Sequence, residues 1–283
     1  MKDKNKDIVF KTIQTYLTDT PVVLAGTGIS IPAGIPGMNK LSKFLQDNLK
    51  VKYEKNSIWC KISDRLDEGI DLESALTGVD IKGELLTDIV KLTWKLVTEY
   101  DLKFFNENVL SRVRQPLCDL IAKLMSTCYN NVNIITTNYD RYIEYCCDIC
   151  GVEIDNRFNG MYLKSLRTNE LKKKDVVNLL KVHGSLDTFH SIKTKESVCI
   201  PLQYNIPNGF VPEIVTPGSD KYETLLTTDT YRSILYKTDE IINNAKCYLC
   251  IGYGFNDSQI QQNILNNITF GKPIVVVTKE LSD

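Results

Sequence analysis

The stretch "VVLAGTGISIPAGIPGM" at residues 22–38 begins as an uninterrupted apolar run and then breaks into a glycine-rich turn. Short, wholly apolar runs are typical of buried parallel strands. The glycines at 26 and 28 let the backbone turn sharply and present its N–H groups to a phosphate. The same turn could instead serve packing alone. The stretch therefore predicts a strand followed by a candidate nucleotide-binding turn, and leaves open which nucleotide binds.

Composition and charge exclude several classes of partner. The chain has 283 residues, of which 43% are hydrophobic and 24% charged, with a formal net charge of −1. This is the composition of an ordinary globular protein, and no block of like charge predicts nucleic-acid binding. No apolar stretch reaches the roughly 20 residues that span a bilayer, and the N-terminus does not have the pattern of a signal peptide. We expect a cytoplasmic protein that binds neither membranes nor nucleic acid directly.

The nine cysteines raise the question of a zinc site, since "CCDIC" at 146–150 and "CYLC" at 247–250 bring several close together. The second group falls on a predicted strand, where positions three apart point to opposite faces. The first falls on an amphipathic helix, where cysteine often serves as a small core residue. We therefore expect no metal.

Apolar segments alternate with helical patterns along the chain, which predicts an α/β fold with a doubly wound, parallel, Rossmann-like sheet. The chain is expected to form a single domain over 1–283. The segment 39–128 is too long for one crossover between the first two strands and predicts an inserted helical subdomain. Residues 186–228, which contain four prolines, are expected to be irregular with short β-like pieces. The strands are predicted in the segments 21–25, 132–137, 175–185, 246–254 and 272–278.

Distinctive polar residues follow four of these strands. In an open parallel sheet, ligands bind outside the carboxyl ends of the strands. Besides the turn at 26–30, "TTNYD" at 136–140, "VHGS" at 182–185 and "GYGFND" at 252–257 occupy such ends. Because the carboxyl ends of parallel strands share one edge, we expect the four segments to converge on one crevice.

Four residues in these segments carry candidate chemistry. Asn138 can donate and accept at once, which suits ribose hydroxyls or a water, although Asn138 and Asp140 could equally cap a helix. His183 at a strand end is a natural general base, with a buried structural histidine as the alternative. Asp257 could bind a ribose or only cap the next helix.

An ordinary nicotinamide dehydrogenase is disfavoured. Its fingerprint needs a second strand that ends in an acidic residue about 20 residues after the glycine turn. Residues 39–50 read as a helix instead, with Asp47 inside it.

Taken together, "GTGISIPAGIPG", "TTNYD", "KVHGS" and "GYGFND" resemble the sirtuin-like superfamily of NAD-consuming enzymes. The resemblance runs from residue 22 to about residue 278 in the family's order. It departs at Met38 and Asn39, where protein-deacylating sirtuins carry Phe-Arg, and in the lack of a zinc ribbon after the His-Gly segment. The motifs look most similar to bacterial sirtuin-like NADases that act as effectors of anti-phage defence.

The resemblance implies that NAD+ is the substrate and is hydrolysed to nicotinamide and ADP-ribose during abortive infection. An NAD-dependent protein deacylase, or a catalytically silent scaffold that binds NAD or ADP-ribose, remain alternatives. Control is implied to come from a homo-oligomer or from a partner in trans, such as a HerA-type ATPase or a short Argonaute. The implied catalytic residues are Asn138, His183 and Asp140, and the implied binding residues are Gly26, Thr27, Gly28, Ser30, Pro36, Thr137, Gly252, Gly254, Asn256 and Asp257.

Overall fold

The structure is a computed structural model that describes residues 2–127, 131–167, 174–216, 229–255 and 257–279. Its helices and strands are numbered in chain order within these ranges. The helices are α1 Lys2–Leu17, α2 Met38–Leu49, α3 Ser57–Asp67, α4 Leu72–Leu76, α5 Gly83–Phe104, α6 Pro116–Thr127, α7 Tyr142–Cys150, α8 Asp229–Asn244 and α9 Ser258–Thr269. The strands are β1 Val22–Ala25, β2 Asn131–Thr136, β3 Glu153–Asp155, β4 Phe158–Asn159, β5 Lys164–Leu166, β6 Val176–Lys181, β7 Gly184–Ser191, β8 Ser197–Cys199, β9 Phe210–Ile214, β10 Tyr248–Ile251 and β11 Ile274–Val277.

A six-stranded sheet in the order β11-β10-β1-β2-β6-β3 forms the centre of the fold, and every neighbouring pair in it is parallel. The predicted doubly wound α/β fold is confirmed. The three-residue β3 is an addition, because it is too short to leave a periodic signal. After β1 the chain adds β2 and β6 on one side of this strand and later adds β10 and β11 on the other. The gap between β1 and β10 is thus the switch point at which such sheets bind ligands.

Burial on both faces explains why the central strands are continuously apolar. Along β1, Val23 and Ala25 belong to one hydrophobic cluster, whereas Val22 and Leu24 belong to a second cluster on the opposite face. Helices cover both faces, so neither set of side chains can be polar. This is the pattern that the opening stretch predicted.

A second sheet packs beside the first and is antiparallel, in the order β4-β5-β8-β7-β9. The short β-like pieces expected in 186–228 are β7, β8 and β9, but they form a regular sheet where irregular structure was expected; residues 217–228 lie outside the described ranges. β8 follows β7 after a short turn, and Pro212 lies in the edge strand β9, where proline is tolerated. The indole N–H of Trp94 in α5 donates to the carbonyl of Leu186 at 2.9 Å and ties this sheet to the helical layer.

Helices α2 to α6 fill the chain between β1 and β2. They enclose a hydrophobic cluster of their own, which includes Leu45, Trp59 and Ile62. The long α5 contributes to this cluster and also to the cluster against the sheet. The boundary of an inserted subdomain at 39–128 stays a prediction. Among the described helices, even the 22-residue α5 lacks the apolar length that a membrane crossing needs.

The turns after β1 and β10 touch backbone to backbone. The Gly28 N–H donates to the Gly252 carbonyl at 3.1 Å. A Cβ on Gly28 would lie 2.6 Å from the Gly252 Cα, and a Cβ on Gly26 would lie 2.3 Å from the Gly252 oxygen. Side chains cannot be accommodated at such distances, so these glycines are required for the contact of the two turns.

Replacing Gly28 with alanine should therefore destabilise the protein. The clash is with backbone atoms, which cannot move aside as a flexible side chain can, and we expect a loss of about 2–3 kcal/mol and a Tm lowered by about 5–10 °C. Gly37→Ala is the matched control, because its Cβ would meet only the mobile end of Ile31 at 3.2 Å. Equal Tm values for the two variants in thermal denaturation would contradict this explanation.

Candidate functional site

A crevice with about 930 Å³ of empty space, part of it open to solvent, lies at the carboxyl ends of β1, β2, β6 and β10. The four polar segments converge on it. Gly28 and Gly252 are not among its lining residues, and Asn256 lies outside the described residues. The predicted site residues that do line it are Gly26, Thr27, Ser30, Pro36, Thr137, Asn138, Asp140, His183, Gly254 and Asp257.

Asn138 presents a buried acceptor to this crevice. Its side-chain N–H2 group donates to the Gly26 carbonyl at 3.0 Å and to the Ser30 hydroxyl at 3.3 Å. The reversed amide would set two oxygens against each other at Gly26, so the orientation is determined by its partners. Asn138 is only 3% exposed, and its Oδ1 has no partner within the described residues. A buried acceptor without a donor costs free energy, which a donating ligand would recover.

Asp140 lines the crevice and also begins a helix. Its Oδ1 accepts the Tyr142 N–H at 3.1 Å in the first turn of α7, and its Oδ2 accepts the Ser30 hydroxyl at 3.0 Å. Burial raises the pKa of this carboxyl, and the nearby Lys181 ammonium only partly opposes the effect. The N-cap position of α7 is Arg141, so Asp140 bonds to the first helical N–H from the position before the cap, and its binding role stays a prediction.

The loop that carries these residues (residues 137–141) is held from both sides. The Lys181 ammonium at the end of β6 donates to the carbonyls of Tyr139 (3.2 Å) and Asp140 and to the Glu144 carboxylate at 2.8 Å. The Tyr139 hydroxyl donates to the Val215 carbonyl. Because main-chain atoms are fixed in this way, the positions of Asn138 and Asp140 do not depend on solvent-exposed contacts.

His183 stands between the two sheets and pairs with a carboxylate. The predicted strand over 175–185 is divided here: β6 ends at Lys181 and β7 begins at Gly184, whose φ of +87° favours glycine. The His183 Nε2 lies 2.6 Å from Asp257 Oδ2. The other oxygen of Asp257 accepts the Ile260 N–H at 3.1 Å and caps α9. The predicted cap is present, and the histidine partner, 74 residues away, was missed.

The glycine turn offers fewer phosphate donors than the sequence predicts. Four of its N–H groups are already used inside the protein: Gly26 to Ile251, Gly28 to Gly252, Ile29 to Gly26 and Ser30 to Thr27, each at 3.1 Å. Within the described chain, Thr27 has the one N–H of residues 26–30 without a protein acceptor. Of the N–H groups that were expected to bind a phosphate, only that of Thr27 is therefore available within the described residues.

Side chains from the helical layer also line the crevice, and the sequence did not predict them as site residues. Met38 and Leu41 of α2, Glu73 of α4 and Val97 of α5 are lining residues. Glu73 lies in the short segment "LESAL", where no spacing distinguishes a site carboxylate from a surface one. Tyr253, which lies between Gly252 and Gly254 after β10, also lines the crevice.

The described residues contain no group of three or more His, Cys, Asp or Glu side chains that could hold a metal ion. Cys146, Cys147, Cys247 and Cys250 are buried.

A family model described as "SIR2-like domain" matches residues 132–273, half of the chain. This chain belongs to the SIR2-like family. The matched segment contains Asn138, Asp140, His183 and Asp257, whereas the glycine turn after β1 and helices α2 to α6 precede it.

Comparison with solved structures places the SIR2-like chain in the same fold. A structure described as "Structural Basis for the Mechanism and Regulation of Sir2 Enzymes" is 15% identical with a TM-score of 0.51, over 98% of this chain and 88% of that one. A Sir2 with a p53 peptide and NAD+ gives 13% identity and a TM-score of 0.45, over 94% of this chain and 85% of that one. A Sir2Tm bound to a propionylated peptide is 13% identical with a TM-score of 0.47, over 96% of this chain and 87% of that one. No curated protein matches the chain.

Replacing Asp140 with asparagine should make the fold more stable at alkaline pH. Because the pKa of Asp140 is raised in the folded state, its ionised form destabilises that state above the folded pKa, and the cost disappears as falling pH protonates the group. Asparagine retains an acceptor for Tyr142 without the charge. Urea denaturation should give Asp140→Asn a higher free energy of unfolding than wild type at pH 8, with a difference that shrinks as the pH falls towards the ordinary carboxyl pKa of 3.8. A constant difference across that range would contradict the explanation.

Proposed function

We propose that this SIR2-like protein hydrolyses NAD+ to nicotinamide and ADP-ribose. The observation that carries the proposal is the buried Asn138 Oδ1, which has no partner among the described residues, in the side chain that lines the same crevice as the His183–Asp257 pair. An acceptor in that position suits a ribose hydroxyl or a water, and a histidine paired with a carboxylate suits proton removal. The family supports NAD-dependent activity in general.

The reaction breaks the bond from the ribose C1′ to the nicotinamide nitrogen. The bonding electrons go to the pyridinium ring, which leaves as neutral nicotinamide, and the sugar acquires cationic character at C1′. Asp140, when ionised, would stabilise that charge, or hold the carboxamide when protonated. Water then bonds to C1′ and gives a proton to His183, so that the products are nicotinamide, ADP-ribose and one proton.

The other polar groups position the substrate. The Thr27 N–H is the candidate donor to the diphosphate in the turn after β1. Asn138 would accept a hydrogen bond from a ribose hydroxyl or from the attacking water. Asp257 orients the His183 ring and favours the protonated imidazole that forms as water loses its proton. In this proposal Asp257 acts on the histidine, and its sequence-based role in binding a ribose is set aside.

The biological role is proposed on the resemblance of the four motifs. Bacterial NADases with such motifs act as effectors of anti-phage abortive infection, and we extend that role to this chain. Control by self-assembly into a homo-oligomer or by a partner in trans, such as a HerA-type ATPase or a short Argonaute, is part of the same proposal.

The purified protein should release nicotinamide from NAD+, and His183→Ala should lower the rate by about 10²–10⁴-fold, because the general base is removed. Asn138→Ala should also lose activity. His190→Ala is the matched control, since His190 is the second histidine and lies on β7 beside Glu213, outside the crevice. Nicotinamide release is followed by chromatography, with the protein alone and with the product of its genomic neighbour.

Equal rates for wild type and both site variants under every condition would overturn the proposal. Turnover that requires an acylated peptide would favour a deacylase. A ligand-induced rise in Tm by NAD+ or ADP-ribose without turnover would favour a binding scaffold.

Asp257→Asn separates the two tasks of that side chain. Asparagine still caps α9, but its amide can present N–H2 to His183 and favour the wrong tautomer. We expect a fall in kcat of about 10²-fold or more with a Tm close to that of wild type. A loss of stability with unchanged kcat would instead assign Asp257 to the helix alone.

A further inference from the structure

A second cavity, the α5 groove, lies between helix α5 and the loop that joins β8 to β9. It has about 1370 Å³ of empty space, part of it open to solvent, and its lining comes from residues 91–106 on one side and 204–206 on the other. Among the described residues it shares no lining residue with the crevice. Helix α5 separates the two cavities, since Val97 lines the crevice and the next residue, Thr98, lines the groove.

The α5 groove is positively charged. Its lining within the described chain contains three lysines, Lys91, Lys95 and Lys103, and one carboxylate, Glu99, all of them exposed. Lys103 lies 3.9 Å from Glu107, whereas Lys91 and Lys95 form no ion pair with a carboxylate of the described residues. Two ammonium groups without a close counter-ion thus line one groove of a chain whose formal net charge is −1. This charge is complementary to an acidic ligand.

Apolar side chains line the groove beside the lysines, and a buried hydroxyl lies among them. Trp94 and Leu102 of α5 are buried, and Ile206 belongs to the opposite side. Thr98 is 3% exposed, and its hydroxyl has no hydrogen-bond partner within the described residues. A threonine hydroxyl in a helix can bond to the carbonyl one turn earlier, here that of Trp94, and this one does not. A ligand in the groove that bonds to Thr98 would recover the cost of burying it.

The spacing of the charges along α5 indicates the length of the ligand. Because an α-helix rises about 1.5 Å per residue, Lys91 and Lys103 lie about 18 Å apart along the axis. An extended peptide advances about 3.3 Å per residue, so that about six residues span this distance. Glu99 lies between Lys95 and Lys103 in the helix and would repel a carboxylate in the middle of the ligand. Acidic residues are therefore favoured at the two ends of the peptide and apolar residues between them.

The same features favour a peptide over a single-stranded nucleic acid. A nucleic acid carries a phosphate at every nucleotide and owes most of its affinity to phosphate contacts, so it cannot avoid a charge opposite Glu99. The apolar Trp94, Leu102 and Ile206 instead match apolar side chains of a peptide.

We propose that the α5 groove binds an extended segment of a partner protein that has acidic residues at both ends and apolar residues between them. The inference goes beyond the proposed hydrolysis and does not depend on it, because the groove and the crevice have separate linings. Such a segment would give a partner in trans a place to dock. It would lie against the helix whose Asp101 bonds to Arg141 of the 137–141 loop.

The test compares two fluorescein-labelled hexapeptides of one composition by fluorescence anisotropy. Glu-Glu-Leu-Leu-Glu-Glu has its acidic residues at the ends, and Leu-Glu-Glu-Glu-Glu-Leu has them in the middle. Wild type should bind the first about fivefold or more tightly than the second, because only the second sets carboxylates against Glu99. The double variant Lys91→Glu/Lys95→Glu should weaken binding of the first peptide by about tenfold or more.

Lys43→Glu/Lys61→Glu is the matched control for charge. It reverses two exposed lysines of α2 and α3 that do not line the groove, so the net charge changes equally. Its affinity for the first peptide should stay within about twofold of wild type, because screening by salt weakens the effect of distant charges.

Thr98→Val tests the hydroxyl without changing charge. It should weaken binding of the first peptide by about threefold to tenfold, while Tm does not fall, because the hydroxyl has no partner in the free protein. Thr93→Val is its control: Thr93 is buried in the same helix and its hydroxyl also lacks a partner within the described residues, but it does not line the groove. It should leave peptide binding unchanged. This pair also decides the matter if the lysine variants fail to fold.

Equal affinities of wild type for the two hexapeptides would overturn the inference, as would equal losses in the groove variants and their controls. A short oligothymidylate is the third probe. If it binds wild type more tightly than the first peptide and loses its affinity in Lys91→Glu/Lys95→Glu, the groove belongs to a nucleic acid and the peptide proposal is wrong. None of these results depends on nicotinamide release, which tests the proposed function separately.

Discussion

The contact between two glycine turns is the constraint on which the rest of this structure depends. Gly26 and Gly28 after β1 and Gly252 after β10 meet without side chains between them, and the Gly28 N–H bonds directly to Gly252. This contact joins the two turns at the switch point and holds Gly26 in the lining of the crevice. The N–H groups of Gly26 and Gly28 bond across to the β10 segment, and those of Ile29 and Ser30 bond within the turn. In the proposed function the turn therefore contributes the Thr27 N–H, and the neighbouring strand ends contribute the chemistry.

Buried ionic and polar contacts hold those neighbouring ends. Lys181 binds two main-chain carbonyls of the 137–141 loop and the Glu144 carboxylate, and Arg141 of the same loop bonds to the fully buried Asp101 of α5 and to Asp187 of β7. Removing one member of such a buried pair is costly because it leaves a charge without compensation. The loop is thus fixed to the parallel sheet, the helical layer and the second sheet together, which keeps Asn138 in place in the crevice lining.

The sequence predicts the parallel sheet and the convergence of the polar segments because both rest on local pattern. Apolar runs such as Val22–Ala25 and Val176–Lys181 indicate strands covered on both faces, and parallel strands bring their carboxyl ends to one edge. The antiparallel sheet was missed because β4, β5 and β8 have only two or three residues each and β9 contains a proline, so these segments leave little alternating pattern. The contacts of His183 with Asp257 and of Glu73 with the crevice were missed because each is made by residues far apart in the chain, and neither acidic side chain differs locally from a helix cap or a surface glutamate.

Asp257 has two roles, as the partner of His183 and as the cap of α9, so one local change affects both. One of its oxygens lies beside the His183 ring, while the other accepts the Ile260 N–H in the first turn of α9. Local opening at the start of α9 would therefore move a lining residue of the crevice and release the histidine from its partner. The hydrogen exchange of the Ile260 amide accordingly reports on the same side chain that orients His183.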